Sequence, residues 1–280
     1  LILPWLVGYL VLILGPTIAS GVLALTRYDL ISAPRYAGLG NFREAFFRDR
    51  LFWQSLKVTA VYTMATVPLR MAAALGVAVL LNQKVKLLSV FRTIYYLPAV
   101  VSGVAVAFLW KWLLNPDYGL VNTLLWYVHI KGPGWFSSPR WALPAFIMVG
   151  LWSVGGSMVT YLAGLQGVPS TLYEAADLDG AGRRSKFIHV TIPMISPVLF
   201  FEMVITMINS FQVFTSAYVI TNGGPANSTL FYLLYLYRNA FSYFRMGYAS
   251  ALAWVLFVII MALTLMTFRG AGRYVYYEGG

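Results

Sequence analysis

The sequence predicts an all-α integral membrane protein with six transmembrane helices and a helix–turn–helix segment between the fourth and the fifth. Of its 280 residues, 60% are hydrophobic and only 10% are charged, and the mean hydropathy is +0.72. Soluble domains carry about 25% charged residues, so this composition cannot provide a water-facing surface. Six apolar stretches are also long enough to cross a bilayer core of about 30 Å as helices.

Four charged residues lie inside those stretches. Lys57 and Lys111 are near the ends and can snorkel to the interface, which leaves Arg70 and Glu202 at depth. We expect one transmembrane domain over residues 1–280, with both termini on the same side because six is even. Since the chain begins with Leu rather than Met, a short N-terminal tail is expected to be missing. The predicted spans are Leu1–Leu25, Leu56–Leu81, Ile94–Leu114, Trp141–Gln166, Pro193–Thr221 and Gly247–Phe268.

The composition also excludes several classes of site. Zero Cys rules out a disulfide scaffold, a Cys-ligated zinc site and a thiol nucleophile. In a soluble protein, the net charge of +11 would suggest that the partner is a nucleic acid. Here the basic residues lie between apolar stretches, so we expect them to contact lipid head groups and expect no nucleic-acid partner. Lys and Arg are divided almost evenly between the two sets of connecting segments, so the positive-inside rule gives no orientation.

The connection between the fourth and fifth spans, Gly167–Ile192, is the most polar in the chain and has the strongest helical pattern. Thr171 and Glu174 have the spacing of a capping box, which predicts a short helix over Leu172–Asp179. Gly180 and Gly182 then suit a left-handed cap and a turn. A second short helix is predicted from near Arg183, ending before Pro193 because proline disfavours helix in the preceding residue.

This segment resembles the EAA loop of ABC importer permeases, specifically the carbohydrate-importer permeases related to the maltose subunit MalF. The matching strings are Glu174–Ala176, Asp179–Ala181 and Ile192–Pro193. The same resemblance extends over nearly the whole chain, and each string is weak alone but strong in this joint order. The further matches are Gly38–Phe42, Phe52–Leu56, Tyr118–Asn122, Leu165–Pro169, Thr221–Pro225 and Met246–Ala251.

The resemblance implies that Gly167–Ile192 is cytoplasmic and fits a cleft on an ATPase subunit, so that both termini are cytoplasmic in a prokaryotic inner membrane. It also implies a second homologous permease, two ATPase subunits and an extracytoplasmic solute-binding protein, with ATP and Mg bound by the ATPase and no cofactor in this chain. From the residues alone, Glu174 could be only a capping carboxylate and Gly180 only a cap. The implied ATPase-coupling residues are Glu174, Ala175, Ala176, Asp179, Gly180, Ala181 and Gly182.

Two partly polar stripes at helical spacing, one in the fourth span and one in the fifth, predict where a solute crosses. The alternative is that small polar residues join helices in the membrane, which we favour for Ser157 and Thr160. Glu202 would line an exit path or pair with a cation, and Arg70 could serve either helix packing against the partner subunit or transport. By resemblance, the solute-binding positions are Trp152, Ser153, Gly156, Thr206, Asn209, Ser210 and Val213; Gly156 and Val213 depart from the maltose-type pattern, which expects longer polar side chains.

The function implied is that of a permease subunit that moves a sugar or related polar solute by alternating access. The chain has no Gly-Lys dipeptide and therefore no phosphate-cradling loop, so ATP hydrolysis is expected in a separate subunit. An ion-coupled secondary carrier or channel is the alternative, but it would need acidic or His relays at depth, where only Glu202 is available. We predict no metal site at His129 or His189, and the spans lack the constellation of an intramembrane enzyme.

Overall fold

The computed structural model describes residues 2–83 and 86–271; Leu1, the first residue of the first predicted span, lies outside them. The chain begins with the long helix α1, Leu3–Ala24. A two-stranded antiparallel hairpin follows, β1 over Thr26–Arg27 and β2 over Arg35–Tyr36. Helix α2, Gly40–Phe47, then leads into α3, Arg50–Leu81, the longest helix that the structure describes.

Helix α3 begins six residues before the predicted second span, because Asp49 caps it. The Asp49 carboxylate accepts hydrogen bonds from the backbone N–H groups of Leu51 and Phe52, at 2.9 and 3.2 Å. These two donors would otherwise lack partners in the first turn. The helix therefore includes two turns that a hydropathy window excludes because they are too polar.

The third predicted span, Ile94–Leu114, is not one straight helix. The structure has α4 over Leu88–Val100 and α5 over Gly103–Leu113, with an angle of 100° between them. Val101 and Ser102 have extended backbone conformations, ψ 139° and 131°, which end the helical hydrogen bonding. Hydropathy could not detect this break, since both residues lie within an apolar run. Helix α6, Leu120–Tyr127, and a short turn over Trp135–Ser137 follow.

The fourth span is broken less sharply, into α7 over Pro139–Trp152 and α8 over Gly155–Gln166, with a bend of 46°. Close contact with α4 fixes this bend. A Cβ built on Gly155 would lie 2.4 Å from the carbonyl oxygen of Tyr95, so only glycine fits there. The close approach is made by Gly155 alone, since a Cβ on the neighbouring Gly156 would meet nothing within 4 Å.

The helices of the connecting segment are α9, Ser170–Leu178, and α10, Arg183–Met194. Helix α11, Ser196–Phe211, is bent by 67° from α10. The predicted end of the second short helix before Pro193 is wrong, because α10 continues through it. A wider turn over Phe187–Thr191 precedes the proline and relieves the crowding that its ring causes in a regular helix.

The fifth predicted span, Pro193–Thr221, is also discontinuous, since α11 ends at Phe211 and a wide helical turn over Ala217–Thr221 follows a short break. The chain continues through α12, Tyr232–Tyr237, to α13, Met246–Ala271, which covers the sixth predicted span. Three straight helices and three bent pairs are thus long and apolar enough to cross a membrane.

Helix α3 lies at the centre of the bundle and packs against α7, α8, α11 and α12, while α13 packs along α1. One core cluster forms where α3 meets α8, around the fully buried Met158 and Tyr161. The other lies where α3 meets α7, α12 and α13, around Phe52, Phe146 and Tyr232. Most of α1 has no such cover: of its residues only Ala24 is buried, as suits a helix that faces lipid.

Candidate functional site

The segment that carries the EAA-like string, Gly167–Ile192, folds as two short helices joined by a tight turn. Helix α9 ends with Gly180 at φ +74°, a left-handed conformation, as predicted. The backbone N–H of Ala181 donates to the carbonyl of Ala176 at 2.9 Å and closes the helix end. Helix α10 starts at Arg183, also as predicted. We call α9, the turn and the start of α10 the coupling segment.

The predicted capping box at Thr171 and Glu174 is wrong. Helix α9 begins at Ser170, so its N-cap residue is Pro169 and no side chain caps the helix. Thr171 lies within the first turn, one residue too deep to act as a cap. The alternative role of Glu174 as a capping carboxylate is therefore removed, and its side chain is exposed.

Two side-chain contacts hold α9 against α10. The ammonium group of Lys186 lies 2.7 Å from a carboxylate oxygen of Asp177, in an ion pair that is open to solvent. Closer to the bundle, the hydroxyl groups of Tyr173 and Thr191 are 2.9 Å apart and hydrogen-bonded. The relative orientation of α9 and α10 is thus set by contacts within the chain, one near the turn and one nearer the bundle.

The remaining surface of the coupling segment is uncovered. No residue of α9 is buried, and Leu178 exposes 91% of its surface. A Cβ on Gly180 or Gly182 would meet nothing within 4 Å. Among the seven residues predicted to couple to the ATPase, the structure leaves Glu174, Ala175, Asp179, Gly180 and Gly182 exposed, with Ala176 and Ala181 half-buried.

The residues predicted to bind solute differ widely in burial. Thr206 and Ser210 are buried in the bundle, and the Ser210 hydroxyl donates to the Thr206 carbonyl within their own helix at 2.7 Å. Trp152, Gly156 and Asn209 are exposed. Of the seven, Ser153 and Val213 are half-buried. Ser157 is buried, while Thr160 is half-buried and donates to the Gly156 carbonyl at 3.3 Å.

Arg70 contacts the break in the fourth span. Its guanidinium Nη2 donates to the carbonyl of Ser153 at 2.8 Å, and Ser153 lies between α7 and α8. A carbonyl at a helix end lacks the partner that the next turn would provide, so the half-buried Arg70 cation stabilises it there. Sequence reasoning offered a partner subunit or the solute as reasons for Arg70; the structure gives it a partner within the chain.

Arg70 also belongs to a polar group in the bundle interior together with Tyr161 and Glu202. Glu202 is buried, and it interacts electrostatically with Tyr161, as does Arg70. The Tyr161 hydroxyl and the Arg70 Nε are buried without a hydrogen-bond partner. Arg70, Tyr161 and Glu202 thus form a polar group inside the apolar bundle, beside the bend of the fourth span.

A second polar centre, at the start of α3, was missed by sequence reasoning. Besides capping α3, the Asp49 carboxylate accepts hydrogen bonds from the hydroxyl groups of Tyr235 on α12 and Tyr248 on α13, each at 2.5 Å. Burial and the bond to Asp49 raise the pKa of Tyr235, so this hydroxyl stays protonated and donates. We call Asp49, Tyr235 and Tyr248 the Asp49 cluster. An acidic residue directly before a long apolar helix was the available signal.

Within residues 2–83 and 86–271, no three His, Asp or Glu side chains are grouped so that they could hold a metal ion. What the described residues offer instead is an uncovered pair of short helices beside a bent, partly polar helix bundle. Long apolar helices packed around a shared core are the features of an integral membrane protein.

Comparison with known proteins gives the family. The sequence model described as "Binding-protein-dependent transport system inner membrane component" matches residues 54–272, and the chain belongs to this family. It is 44% identical over 279 residues to the probable ABC transporter permease protein YesP of Bacillus subtilis, covering 98% of this chain and 90% of that protein. It is 32% identical over 280 residues to the trehalose/maltose transport system permease protein MalF of Thermococcus litoralis, covering 98% and 92%.

The fold agrees with a solved importer. A chain in the crystal structure of the bacterial alginate ABC transporter, in complex with an alginate-bound periplasmic protein, superposes with a TM-score of 0.86 at 23% identity, covering 97% of this chain and 92% of that one. The resemblance to MalF-like permeases is confirmed, and the chain is a permease subunit of an ABC importer and not itself an enzyme. The ion-coupled carrier and the intramembrane enzyme are thereby set aside.

Proposed function

We propose that this permease carries a sugar or related polar solute across a prokaryotic cell membrane by alternating access, driven by two separate ATPase subunits. Residues 1–280 act as one transmembrane domain with six spans: α1, α3 and α13, together with the pairs α4–α5, α7–α8 and α10–α11. What supports this count is that three straight helices and three bent pairs have the required length and hydropathy. The sugar class is suggested by the relatives, one of which is a trehalose/maltose permease.

The uncovered coupling segment is the single observation that carries the coupling proposal. Its two helices are held in fixed orientation by Lys186–Asp177 and Tyr173–Thr191, yet it buries nothing on its outer side. An apolar side chain as exposed as Leu178 suits a pocket on a partner. The partner is an ATPase subunit, which places the segment and both termini in the cytoplasm. A second homologous permease and an extracytoplasmic solute-binding protein complete the importer.

The coupling segment is best tested at Leu178, the most exposed apolar residue of α9. Leu178→Asp should weaken the attachment of the ATPase subunits at least ten-fold, since it removes about 1.5–3 kcal/mol of apolar burial and places a charge in the interface. The measurement is the amount of ATPase that co-purifies with the permease. Gly180→Trp is a poorer test, because φ +74° at Gly180 strains any side chain.

Ile31→Asp is the matched control, since Ile31 is equally exposed, at 90%, and lies in the hairpin between the first two spans. On the proposed topology it faces the other side of the membrane and should leave ATPase attachment unchanged. If both variants lose ATPase attachment equally, the added charge acts on folding. If Leu178→Asp retains normal ATPase attachment, the proposal that the coupling segment binds the ATPase is wrong.

The solute path is proposed to lie between the bend of the fourth span, which carries Trp152, Ser153 and Gly156, and the Thr206–Val213 stretch of the fifth. On the fifth span, the Asn209 side chain is exposed, whereas those of Thr206 and Ser210 are buried. Asn209→Ala should therefore raise the solute concentration needed for half-maximal uptake by roughly ten- to a hundred-fold, because unpaired solute hydroxyls cost about 1–3 kcal/mol each.

Ser157→Ala is the control for this experiment, since Ser157 is buried and assigned to helix packing. Uptake into proteoliposomes should show little change in that variant. If Asn209→Ala lowers the yield of complex without changing the apparent affinity, the exposed face of α11 serves packing and the path lies elsewhere.

A further inference from the structure

A polar cavity lies where the first and last long helices meet the hairpin. It measures about 400 Å³ and is lined by charged and aromatic groups from three parts of the chain. Arg27 and Arg35 come from the hairpin, Asn41 and Glu44 from α2, and Tyr248 from α13. Asn41 fixes one wall, since its amide donates to the carbonyls of Ala24 and Thr26 at 2.8 Å each.

The basic side chains that line the cavity outnumber the acidic ones. Arg245 is paired with Glu44 at 2.5 Å and lies 4.4 Å from the centre of the Tyr248 ring. Arg27 and Arg35 are directly opposite each other across the hairpin, and both are exposed. Neither has an ion pair within the described part of the chain. Like charges in this register repel, so the hairpin holds two cations in an arrangement that an anion would stabilise.

The remaining acid of the cavity, Asp29, offsets only part of this charge. Its carboxylate accepts hydrogen bonds from the hydroxyl and the backbone N–H of Ser32, at 2.7 and 2.8 Å. These bonds hold the pKa of Asp29 below its usual value, so it is ionised but committed to its own turn. An excess of one positive charge remains at Arg27 and Arg35.

An apolar groove of about 540 Å³ runs beside this cavity along the contact between α1 and α13. Its walls are almost free of polar surface. Ala24 at the end of α1 and the following Leu25 line it on one side, with Phe42 and Phe46 from α2 and Val258 from α13. Both long helices are apolar enough to cross a membrane, so the groove opens at the depth of lipid chains.

The cavity and the groove are two parts of one amphipathic surface. On α13, Tyr248 lines the cavity, and Val255, seven residues further on the same face, lines the groove. Seven residues of helix rise about 10 Å, the distance from a head group to the upper part of its chains. Helix α2 lies between the two, with Asn41 towards the cavity and Phe42 towards the groove.

We propose that this surface is a binding site for an anionic phospholipid, with the phosphate between Arg27 and Arg35 and an acyl chain in the groove. The proposal requires only that α1 and α13 lie in the membrane. It does not depend on the solute or on the ATPase contact, so it can fail while the proposed function stands, and the reverse also holds.

The assembled importer tests the site in nanodiscs of phosphatidylcholine with or without phosphatidylglycerol, with native mass spectrometry counting the retained lipid. Arg27→Gln and Arg35→Gln should each lower the apparent affinity for phosphatidylglycerol about 5-fold. The matched control is Arg48→Gln with Arg50→Gln, two exposed arginines nearby that do not line the cavity. Equal loss in the control pair would show diffuse attraction to the membrane and would overturn the site.

The groove is tested without changing any charge. Val258→Trp fills it and should lower phosphatidylglycerol retention, whereas Met266→Trp, an equally exposed position further along α13, should not. Inorganic phosphate is the probe for the anion alone: if it displaces the lipid as well as added phosphatidylglycerol does, the groove contributes nothing and the lipid proposal is wrong. Unchanged lipid retention in Arg27→Gln with weakened docking of a solute-binding protein would instead assign the arginines to that partner.

Discussion

The Asp49 cluster and the coupling segment both tie helix ends together, but they do so in opposite environments. Tyr235 and Tyr248 are almost fully buried, at 4% and 2% exposure, and their bonds to Asp49 join α3, α12 and α13 within the chain. In the coupling segment the ion pair Lys186–Asp177 is open to solvent and no residue of α9 is buried. The chain completes the first region by itself and leaves the second uncovered, which is why we propose that the second region binds the ATPase subunit.

The largest effect is expected at Asp49. Asp49→Ala removes a helix cap, costing about 1 kcal/mol, and leaves two buried tyrosine hydroxyls unpaired, at about 1–3 kcal/mol each. A loss of about 3 kcal/mol or more should appear as a lower midpoint of thermal unfolding in detergent. Asp29→Ala is the control, because Asp29 caps an exposed turn of its own, and it should change the midpoint little. If Asp49→Ala leaves the unfolding midpoint unchanged, the Asp49 cluster does not stabilise the bundle and the difference drawn between the two regions is wrong.

A pair of glycine substitutions sharpens the same contrast with a smaller effect. A Cβ on Gly247 would lie 2.0 Å from the carbonyl oxygen of Thr26, so Gly247→Ala must displace the hairpin or α13, at about 1–3 kcal/mol. A Cβ on Gly182 meets nothing within 4 Å, and its φ of −70° is ordinary. Gly182→Ala should therefore leave the unfolding midpoint unchanged. Equal destabilisation by both would show that the coupling segment is as tightly packed as the hairpin end.

Hydropathy located the six apolar stretches because lipid imposes one strong requirement, a long uninterrupted run of apolar side chains. It could not locate the bends, since these depend on contacts between helices that are distant in sequence. The break at Ser153 is held by Arg70, which is 83 residues away, and by the close contact of Gly155 with Tyr95. The fragment Gly180–Arg183 was predictable, because a left-handed glycine is a local property.

The candidate sites divide in the same way. The residues predicted to couple to the ATPase lie within nine positions of one another, so a sequence pattern could propose them together, and the structure leaves five of the seven exposed. Helical spacing picked out the two polar stripes and the resemblance chose the solute positions within them, but both spans are bent and the chosen residues differ in burial. Spacing thus grouped Asn209 with Ser210, whereas the structure exposes the first and buries the second. The Asp49 cluster, built from residues almost 200 positions apart, left only its capping residue as a signal.

The absence of native cysteines allows one direct test of the central claim, because Leu178→Cys provides a unique thiol. Its rate of reaction with a membrane-impermeant maleimide is measured in the assembled importer before and after the ATPase subunits are stripped away, with Ile31→Cys as the control. We predict that Leu178→Cys reacts slowly in the assembled importer and rapidly once the ATPase is removed, while Ile31→Cys reacts at the same rate in both. A Leu178→Cys thiol that reacts equally fast with the ATPase present would contradict the docking of the coupling segment.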